Sequence, residues 1–389
     1  MNIERAFLKK NKICLDYSTT PISSKTLEEM LPFFQERWGS IASSHSMGSD
    51  LIPYVDMALK EIYHHFGAED SDSFFLTSCA AEAVSQVIMG CYFGITRKTG
   101  KNHFLTTNHE EAFILRALQH LSEMKCHSTM MAVNVHGQLT LEALEEAITA
   151  RTALVSLSWA NGLTGVIQPV ADLAEVCRKR GVLFHLDASD VIGKLFFRFD
   201  ELKCDFLTFD GDRFHAPKGT GGLFMRDIKI PPLIFGGNEQ AYQRGGTLNT
   251  PFLAALKVAC HEADSFRDHM GIEIARLRDK FEIKIREEIP EAKVFFKDVE
   301  RLPHISAIAF PYVASDALLY ALQNDGVYAQ AGGGRTQQLT RLLTATGVEP
   351  SLAACAVSFS FSRATTEEEI DQAIPIIIKH AKRLKAISP

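Results

Sequence analysis

The chain has 389 residues, 46% of them hydrophobic, and a formal net charge of -6. This length can bury a large core, and it suggests one large domain with a smaller second one. The charge is spread over both halves without acidic or basic blocks, so neither a nucleic-acid surface nor a membrane surface is indicated. The charged N-terminus lacks a following apolar core, and no apolar run approaches the roughly 18 residues of a membrane span. The eight cysteines occur singly, without metal-ligand spacing. We therefore expect a cytoplasmic chain with no metal, whose partners are small molecules or other proteins.

Short β-rich runs alternate with amphipathic helical stretches between residues 73 and 226. The runs 74–77 and 153–160 are followed by helical patterns over 82–94 and 170–180, and 182–186 is a further strand. This alternation predicts a mostly parallel sheet covered by helices. Ligands of such sheets lie at the carboxyl ends of the strands.

After Pro251 the pattern changes to two long helical segments, 252–270 and 272–289, separated by a break at Met270-Gly271. A strand over 304–310, a helix over 316–324, and a final strand and helix over 356–361 and 366–384 follow. We expect an N-terminal arm over 1–15, a large domain over 16–250 and a smaller α+β domain over 251–389.

Several segments resemble the class V aminotransferases, the group that includes the cysteine desulfurases. Residues 185–188, HLDA, end a predicted strand and resemble the HVDA segment of that family. Four further segments are collinear with family segments over about 360 residues, too many for chance matches of short motifs. They are LDYSTTP at 15–21, SLSWANGLTGVIQP at 156–169, RGGTLNTP at 244–251 and FSRATTEEEID at 361–371. The short run SSHSMG at 43–48 is similar to the family's SxH segment.

The resemblance implies an α/β protein of the fold type I pyridoxal-phosphate transferases, with a mostly parallel seven-stranded sheet, and it implies pyridoxal phosphate as the cofactor. It assigns Asp187 to the pyridine nitrogen and Asn161 to the 3-hydroxyl of the cofactor. Thr247 would reach the cofactor phosphate of a neighbouring subunit, which implies a homodimer. Most aspartates in such a position, taken by themselves, are strand-end residues that cap a turn, and this alternative applies to Asp187 as well. The other positions that correspond to the cofactor site are Asp190, Ala80, Ala81, Glu110, Asp210 and Asp212.

The lysine that forms the Schiff base in this family is replaced by Arg213. The family segment SGHKxxGPKGxG corresponds to residues 210–221, DGDRFHAPKGTG, in which PKGxG is intact. A guanidinium stays protonated and cannot form an imine. Lys218 lies five residues further along and matches the family's second lysine rather than the lost one.

The phosphate-binding groups implied by the resemblance are also altered. Asp210 and Asp212 stand where the family has serine and histidine donors, and each like charge at about 4 Å from a phosphate costs of order 4 kcal/mol. Residues 77–82, TSCAAE, replace TSGATE, so Ala81 removes a hydroxyl. Cys79 replaces a glycine that would allow close backbone approach. The helix that follows would still offer backbone N–H groups to an anion.

Three further family features are changed. The ring-stacking histidine falls at Glu110, although a one-residue shift would place His109 there instead. The loop over 329–335, AQAGGGR, lacks the cysteine that accepts sulfur in a desulfurase. Its glycines indicate either a flexible, anion-binding loop beside Arg335 or a structural turn. Ser358 replaces the arginine that grips the substrate carboxylate, and a neutral serine cannot form that bidentate pair.

These observations leave three hypotheses. The first is a desulfurase-like protein that is inactive as a desulfurase and has a structural or regulatory role, with Arg213 paired to Asp210 or Asp212. The second is an enzyme of this family that acts on a small amino acid with non-covalently held cofactor. The third is a small-anion sensor that uses the helix after Ser78 and the glycine loop near Arg335.

Overall fold

A computed structural model describes residues 12–333 and 337–387 of the chain. Arg335 lies outside the described residues, so the hypothesis of an anion-binding loop beside it stays a prediction. The strands are β1 Ile13–Cys14, β2 Ser73–Thr77, β3 His103–Thr107, β4 His127–Met131, β5 Thr152–Ser158, β6 Leu183–Asp187, β7 Phe206–Asp210, β8 Gly221–Met225, β9 Lys293–Val294, β10 Ile305–Ala309, β11 Val327–Tyr328, β12 Gly332–Gly333, β13 Gln337–Gln338 and β14 Ala356–Ser360. The α-helices are α1 Ser24–Met30, α2 Pro32–Gln35, α3 Ser46–Ser49, α4 Ile52–Phe66, α5 Ala80–Cys91, α6 Arg97–Thr99, α7 Ala112–Leu121, α8 Leu141–Ala147, α9 Val170–Arg180, α10 Thr250–His269, α11 Ala275–Glu288, α12 Ser315–Asn324, α13 Leu339–Ala345, α14 Pro350–Ala353 and α15 Glu367–Ile387.

A seven-stranded sheet forms the centre of the large domain, with strand order β2-β8-β7-β6-β5-β3-β4. β8 runs antiparallel to both of its neighbours, whereas the pairs formed by β3 to β7 are parallel. All seven residues of β5 are buried, as expected for a parallel strand that is covered on both faces. The predicted α/β fold with a mostly parallel seven-stranded sheet is therefore confirmed.

Two layers of helices bury the faces of this sheet. On one face, α4 contributes Val55, Ala58, Ile62 and Phe66, whose spacing of three and four residues places them on one side of the helix. Helices α9 and α10 complete this layer, while α5 and α7 pack on the opposite face. The carboxyl ends of the parallel strands are thus left as the edge at which polar side chains collect.

The small domain is built on the antiparallel sheet β14-β10-β9 and on helices α11, α12 and α15. The chain enters this domain first, because β1 pairs in parallel with β11 and Leu15 is fully buried in the same core. It then crosses to the large domain. There the backbone N–H and the hydroxyl of Thr20 both donate to the carbonyl of Asp212, at 2.7 and 2.8 Å.

The expected break at Met270-Gly271 is wrong. A π-helical turn, Met270–Ile274, joins α10 to α11, so the helical path continues. Met270 and Ile274 are buried in the small-domain core, and this packing outweighs the low helix propensity of Gly271. Residues 253–263 of α10 pack into the core of the large sheet. The domain limits 1–15, 16–250 and 251–389 stay a prediction. Within the described residues, no helix combines the length and apolar character needed to cross a membrane.

Candidate functional site

Arg213 lies in the turn that follows β7, at the carboxyl edge of the sheet. Its Nη1 is 3.2 Å from Oδ1 of Asp190, and its Nε is 4.0 Å from Oδ1 of Asp212. The side chain is 18% exposed and therefore points into the protein. Burial opposes the charged form, but the carboxylates of Asp190 and Glu111 raise the pKa of Arg213 above its ordinary value. Asp190 is thus the nearer of these two partners, and the expected pairing with Asp212 is present at the longer distance.

One glutamate, Glu111, and three aspartates, Asp190, Asp210 and Asp212, act electrostatically on this cation. Glu111, which the sequence did not single out, is buried and acts electrostatically on both Arg213 and Asp190. Burial first, and the Asp190 charge second, raise the pKa of Glu111 above its ordinary value. Asp190 fits against Gly162, where an added Cβ would lie 2.8 Å from Oδ2 of Asp190. Arg213 is therefore held by carboxylates from two different loops.

Asp210 occupies the N-terminus of α5. Its Oδ2 accepts a hydrogen bond of 3.2 Å from the backbone N–H of Ala80. One residue before the cap, the N–H of Ser78 donates to Oε2 of Glu82 at 2.8 Å. Burial, together with the neighbouring Asp212, raises the pKa of Asp210 to about 6. The carboxylate of Asp210 therefore takes one of the helix N–H groups that the third hypothesis assigns to an external anion, and Ala81 beside it is exposed.

Asp187 ends β6 and is part of a buried chain of hydrogen bonds. Its Oδ1 accepts from the hydroxyls of Thr208, at 2.8 Å, and Ser189, at 3.1 Å. Since Thr208 gives its one proton to Asp187, Nε2 of His185 must be the donor in the 2.9 Å contact to Thr208. Nδ1 of His185 then accepts from Ser156, at 2.8 Å. Burial raises the pKa of Asp187 to about 7.

Asn161 lies in the loop after β5, close to this chain of hydrogen bonds. Its Oδ1 accepts from the backbone N–H groups of Leu163 and Thr164, both at 3.0 Å. Its Nδ2 is buried and, among the described residues, meets no hydrogen-bond partner. A buried donor without a partner is unfavourable, so this atom is a ready contact for a ligand oxygen.

Glu110 is hydrogen-bonded to the last residue of β5. Its two carboxyl oxygens accept from the N–H of Ser158, at 3.0 Å, and Oε2 also accepts from the Ser158 hydroxyl, at 2.7 Å. Burial raises the pKa of Glu110 to about 8. His109 is buried beside it, and neither ring nitrogen has a partner within the described part of the chain. The structure thus places both candidate residues in the interior.

The remaining expected residues lie elsewhere. Thr247 is exposed in the loop before α10, and Lys218 is exposed beyond the Arg213 turn. Ser358 is buried in β14, and its hydroxyl donates to the carbonyl of Leu163 at 2.8 Å. A second cation that the sequence did not predict is Lys194, whose Nζ donates to the carbonyl of Arg213 at 2.8 Å. The sequence around Lys194 did not indicate this contact, because the carbonyl that Lys194 reaches lies in another loop.

Comparison with known proteins identifies the family of this site. The family model described as "Aminotransferase class-V" matches residues 13–373. The chain belongs to the class V aminotransferase family. Relatives of this class V chain include a cysteine desulfurase of Trichormus azollae, 31% identical over 377 residues, which cover 96% of the chain and 93% of the relative. The cysteine desulfurase NifS of Azotobacter vinelandii is 31% identical over 376 residues, with the same coverage.

Solved structures agree with this assignment. A NifS-like protein superimposes with a TM-score of 0.88 at 29% identity, over 95% of this chain and 98% of that protein. A NifS-like protein from Rickettsia africae has a TM-score of 0.84 at 22% identity and shares the fold. The class V chain is thus similar to these proteins over nearly its whole length.

The family depends on pyridoxal phosphate, and the residues present here do not fit that group at two points. Where a phosphate would meet the N-terminus of α5, the carboxylate of Asp210 already accepts the Ala80 N–H. Where an amine would form an imine, the guanidinium of Arg213 is paired with Asp190. Asp187 and the free Nδ2 of Asn161 are compatible with cofactor contacts, but they supply neither the covalent link nor the phosphate site.

Proposed function

We propose that this class V protein is a cysteine desulfurase homologue that is inactive as a desulfurase and acts in the cytoplasm as a homodimer with a structural or regulatory role. The observation that carries the proposal is the pairing of Arg213 with Asp190 at the position of the Schiff-base lysine. An arginine has no neutral amine at any physiological pH, so the first covalent step of the family's chemistry has no nucleophile.

The loss of anion-binding groups supports the same conclusion. Asp210 and Asp212 both face the Arg213 cation, and Asp210 also takes the backbone N–H of Ala80. A phosphate placed there would lose this N–H and would lie beside buried carboxylates, which is unfavourable at any reasonable effective dielectric.

The residues that would act on the substrate of a desulfurase are replaced as well. Ser358 stands in the place of the substrate-binding arginine, and its hydroxyl is bonded to the carbonyl of Leu163. The loop sequence over 329–335 contains no cysteine to accept sulfur. Neither the carboxylate grip nor the sulfur acceptor of a desulfurase is therefore provided by this chain.

The test is to mix the purified protein with pyridoxal phosphate and record its visible absorption spectrum before and after borohydride reduction. We expect no chromophore that reduction fixes to the polypeptide, and no sulfide release from cysteine. A wild-type chain whose mass increases by one reduced cofactor, or which releases sulfide catalytically, would overturn the proposal. The matched control is an active cysteine desulfurase treated in parallel.

A second candidate function is an enzyme that holds the cofactor without a covalent bond and acts on a small amino acid. The free Nδ2 of Asn161 and the position of Asp187 favour it, because these contacts do not need a lysine. Equilibrium dialysis separates the two proposals. Stoichiometric cofactor retention, together with turnover of an amino acid that Asn161→Ala abolishes, would support this candidate instead.

A further inference from the structure

A small cavity lies between the turn that carries Arg213 and the small domain. Its volume is about 30 Å³, and basic side chains are concentrated in its lining: Lys194, Arg213, His215, His304 and Arg363. In the described part of the chain, no aspartate or glutamate side chain lines it. It adjoins the site described above, because Arg213 contributes to both, but Asn161, Asp187 and Asp210 do not contribute to its wall.

Lys194 provides the positive charge of this cavity that is not neutralised by a close partner. Its Nζ makes one hydrogen bond, to the carbonyl of Arg213, which leaves two of its three N–H groups for other acceptors. No carboxylate among the described residues reaches ion-pair distance from it, although Asp190 and Asp212 act on it from further away. Burial lowers the pKa of Lys194 to about 8, as expected for an ammonium group without a counter-ion.

Arg213 and Arg363 do not need an external anion in the same way. Arg213 pairs with Asp190, and Arg363 pairs with Glu262 at 2.9 Å. The positive charge that remains to be neutralised is therefore a single one, on Lys194. A monovalent anion matches it.

His304 is a second polar residue in the lining of this cavity. It is 4% exposed, it lines the cavity, and its Nδ1 has no hydrogen-bond partner among the residues that the structure describes. Burial, together with the nearby cations of Lys194, Arg278 and Arg213, keeps the pKa of His304 well below its ordinary value. A neutral imidazole carries one N–H, which an anionic oxygen in the cavity would accept.

Apolar side chains also line the cavity. Ile192, Ala263, Phe266 and Met270 contribute to it. A bound water needs roughly 10–15 Å³ of such volume, so about 30 Å³ holds a group of a few heavy atoms. The combination of hydrogen-bond donors and hydrocarbon in one lining suits an anion with a short apolar end, rather than a halide or a divalent oxyanion.

We propose that this cavity binds a short-chain monocarboxylate of the size of acetate, with Lys194 as its counter-ion and His304 as a hydrogen-bond donor. The apolar end of the ligand lies against Phe266 and Met270. Because the lining comes from both the Arg213 turn and the small domain, the bound carboxylate holds these two parts together. This inference does not depend on the proposed function, since it needs neither a bound cofactor nor an amine at position 213, although Arg213 lines the cavity.

The experiment is calorimetric titration of the whole chain with sodium acetate, against sodium chloride at matched ionic strength. We expect saturable acetate binding that chloride does not reproduce, and at least tenfold weaker binding in Lys194→Met. Lys98→Met, which changes an exposed lysine, retains wild-type affinity. Pivalate carries the same charge but is too bulky for the cavity, so it should fail to bind.

His304→Phe keeps an aromatic ring and removes both nitrogens, and it provides a second variant if Lys194→Met does not fold. Weaker acetate binding in this variant supports the site. Equal heats for acetate and chloride would overturn the carboxylate class, and unchanged acetate affinity in both variants would overturn the site itself. Cofactor spectra are not part of the readout, so a failure here leaves the proposed function untouched.

Discussion

The guanidinium of Arg213 lies 3.2 Å from the carboxylate of Asp190, a residue 23 positions earlier in the sequence. The pair joins the turn after β6 to the turn after β7, and both side chains are largely buried. A buried arginine is tolerated when its charge is matched, so this contact explains how a permanent cation persists at the edge of the sheet.

Removing one partner of this pair should therefore destabilise the protein strongly. We expect Asp190→Ala to lower the free energy of unfolding by about 3–5 kcal/mol, because it leaves a buried charge with less compensation. Urea denaturation measures this change. The double variant Asp190→Asn with Arg213→Met should recover most of the loss.

The control for this prediction is Asp279→Ala. Asp279 pairs with Arg278 at 2.8 Å, but its side chain is 56% exposed. We expect the control to cost less than about 1 kcal/mol. If both aspartate variants lose the same stability, the buried pair has no special role.

Restoring the lysine alone should not restore cofactor attachment. In Arg213→Lys, Asp210 still takes the Ala80 N–H, so we expect little borohydride-fixable chromophore with pyridoxal phosphate. Adding Asp210→Ser and Asp212→His returns the family residues and frees the helix terminus. Absorbance and intact mass after reduction measure attachment. Full attachment in Arg213→Lys alone would contradict this, and a further Lys218→Met change tests that position 213 is the point of linkage.

Stability should fall as the pH rises through neutrality. Burial raises the pKa of Glu110 from 4.5 to about 8, so between these values the folded chain holds a proton that the unfolded chain has lost. The free energy of unfolding therefore decreases from about pH 5 to about pH 8. Glu110→Gln should remove this contribution and stabilise the protein at pH 8 by on the order of 2 kcal/mol.

Urea unfolding at the two pH values tests this dependence. Glu145→Gln changes an exposed glutamate on α8 and should leave the wild-type slope intact. The pKa values of Asp187 and Glu111 are also raised. The free energy of unfolding of Glu110→Gln therefore still decreases with pH, but with a weaker slope. Identical slopes for the wild type and Glu110→Gln would show that Glu110 titrates as an ordinary surface acid.

The homodimer can be tested through the segment that precedes Thr247. This segment exposes Phe235 to 80% and Tyr242 to 68%, beside the loop that the family resemblance places at a subunit boundary. We expect the wild type to scatter light as twice 43.2 kDa, and Phe235→Asp to shift it towards the monomer. Tyr320→Asp alters a comparably exposed aromatic residue of the small domain and should stay dimeric. A monomeric wild type would remove the basis of this prediction.

The elements of the sheet were predictable because burial and sequence pattern agree in them. β5 is a fully buried strand with four apolar residues, Ala153, Leu154, Val155 and Leu157, and the pattern over 170–180 coincides with α9. The continuation of the helical path through Gly271 was not predictable, because an added Cβ there would meet open space and the residue's helix penalty is only about 1 kcal/mol. The packing of Met270 and Ile274 in the small-domain core keeps the helical path continuous.

The positions of several candidate residues could be located from the sequence, but their contacts could not. The family segments located Arg213, Asp187 and Asn161 at the carboxyl edge of the sheet. Which carboxylate pairs with Arg213 depends on how closely the turns after β6 and β7 approach each other. The spacing of residues within one segment does not determine the distance between two turns. Glu111 and Lys194 were missed for the same reason, since their interactions connect different loops.

Residues 13–20 connect the small domain to the large domain. Strand β1 is hydrogen-bonded to β11 in the small domain, and a few residues later Thr20 is bonded to Asp212 and His215 beside Arg213. A rotation of the small domain would pull on this short tether and hence on the turn that carries the guanidinium. The geometry around Arg213 and the orientation of the two domains are therefore mechanically linked, so a change in one alters the other.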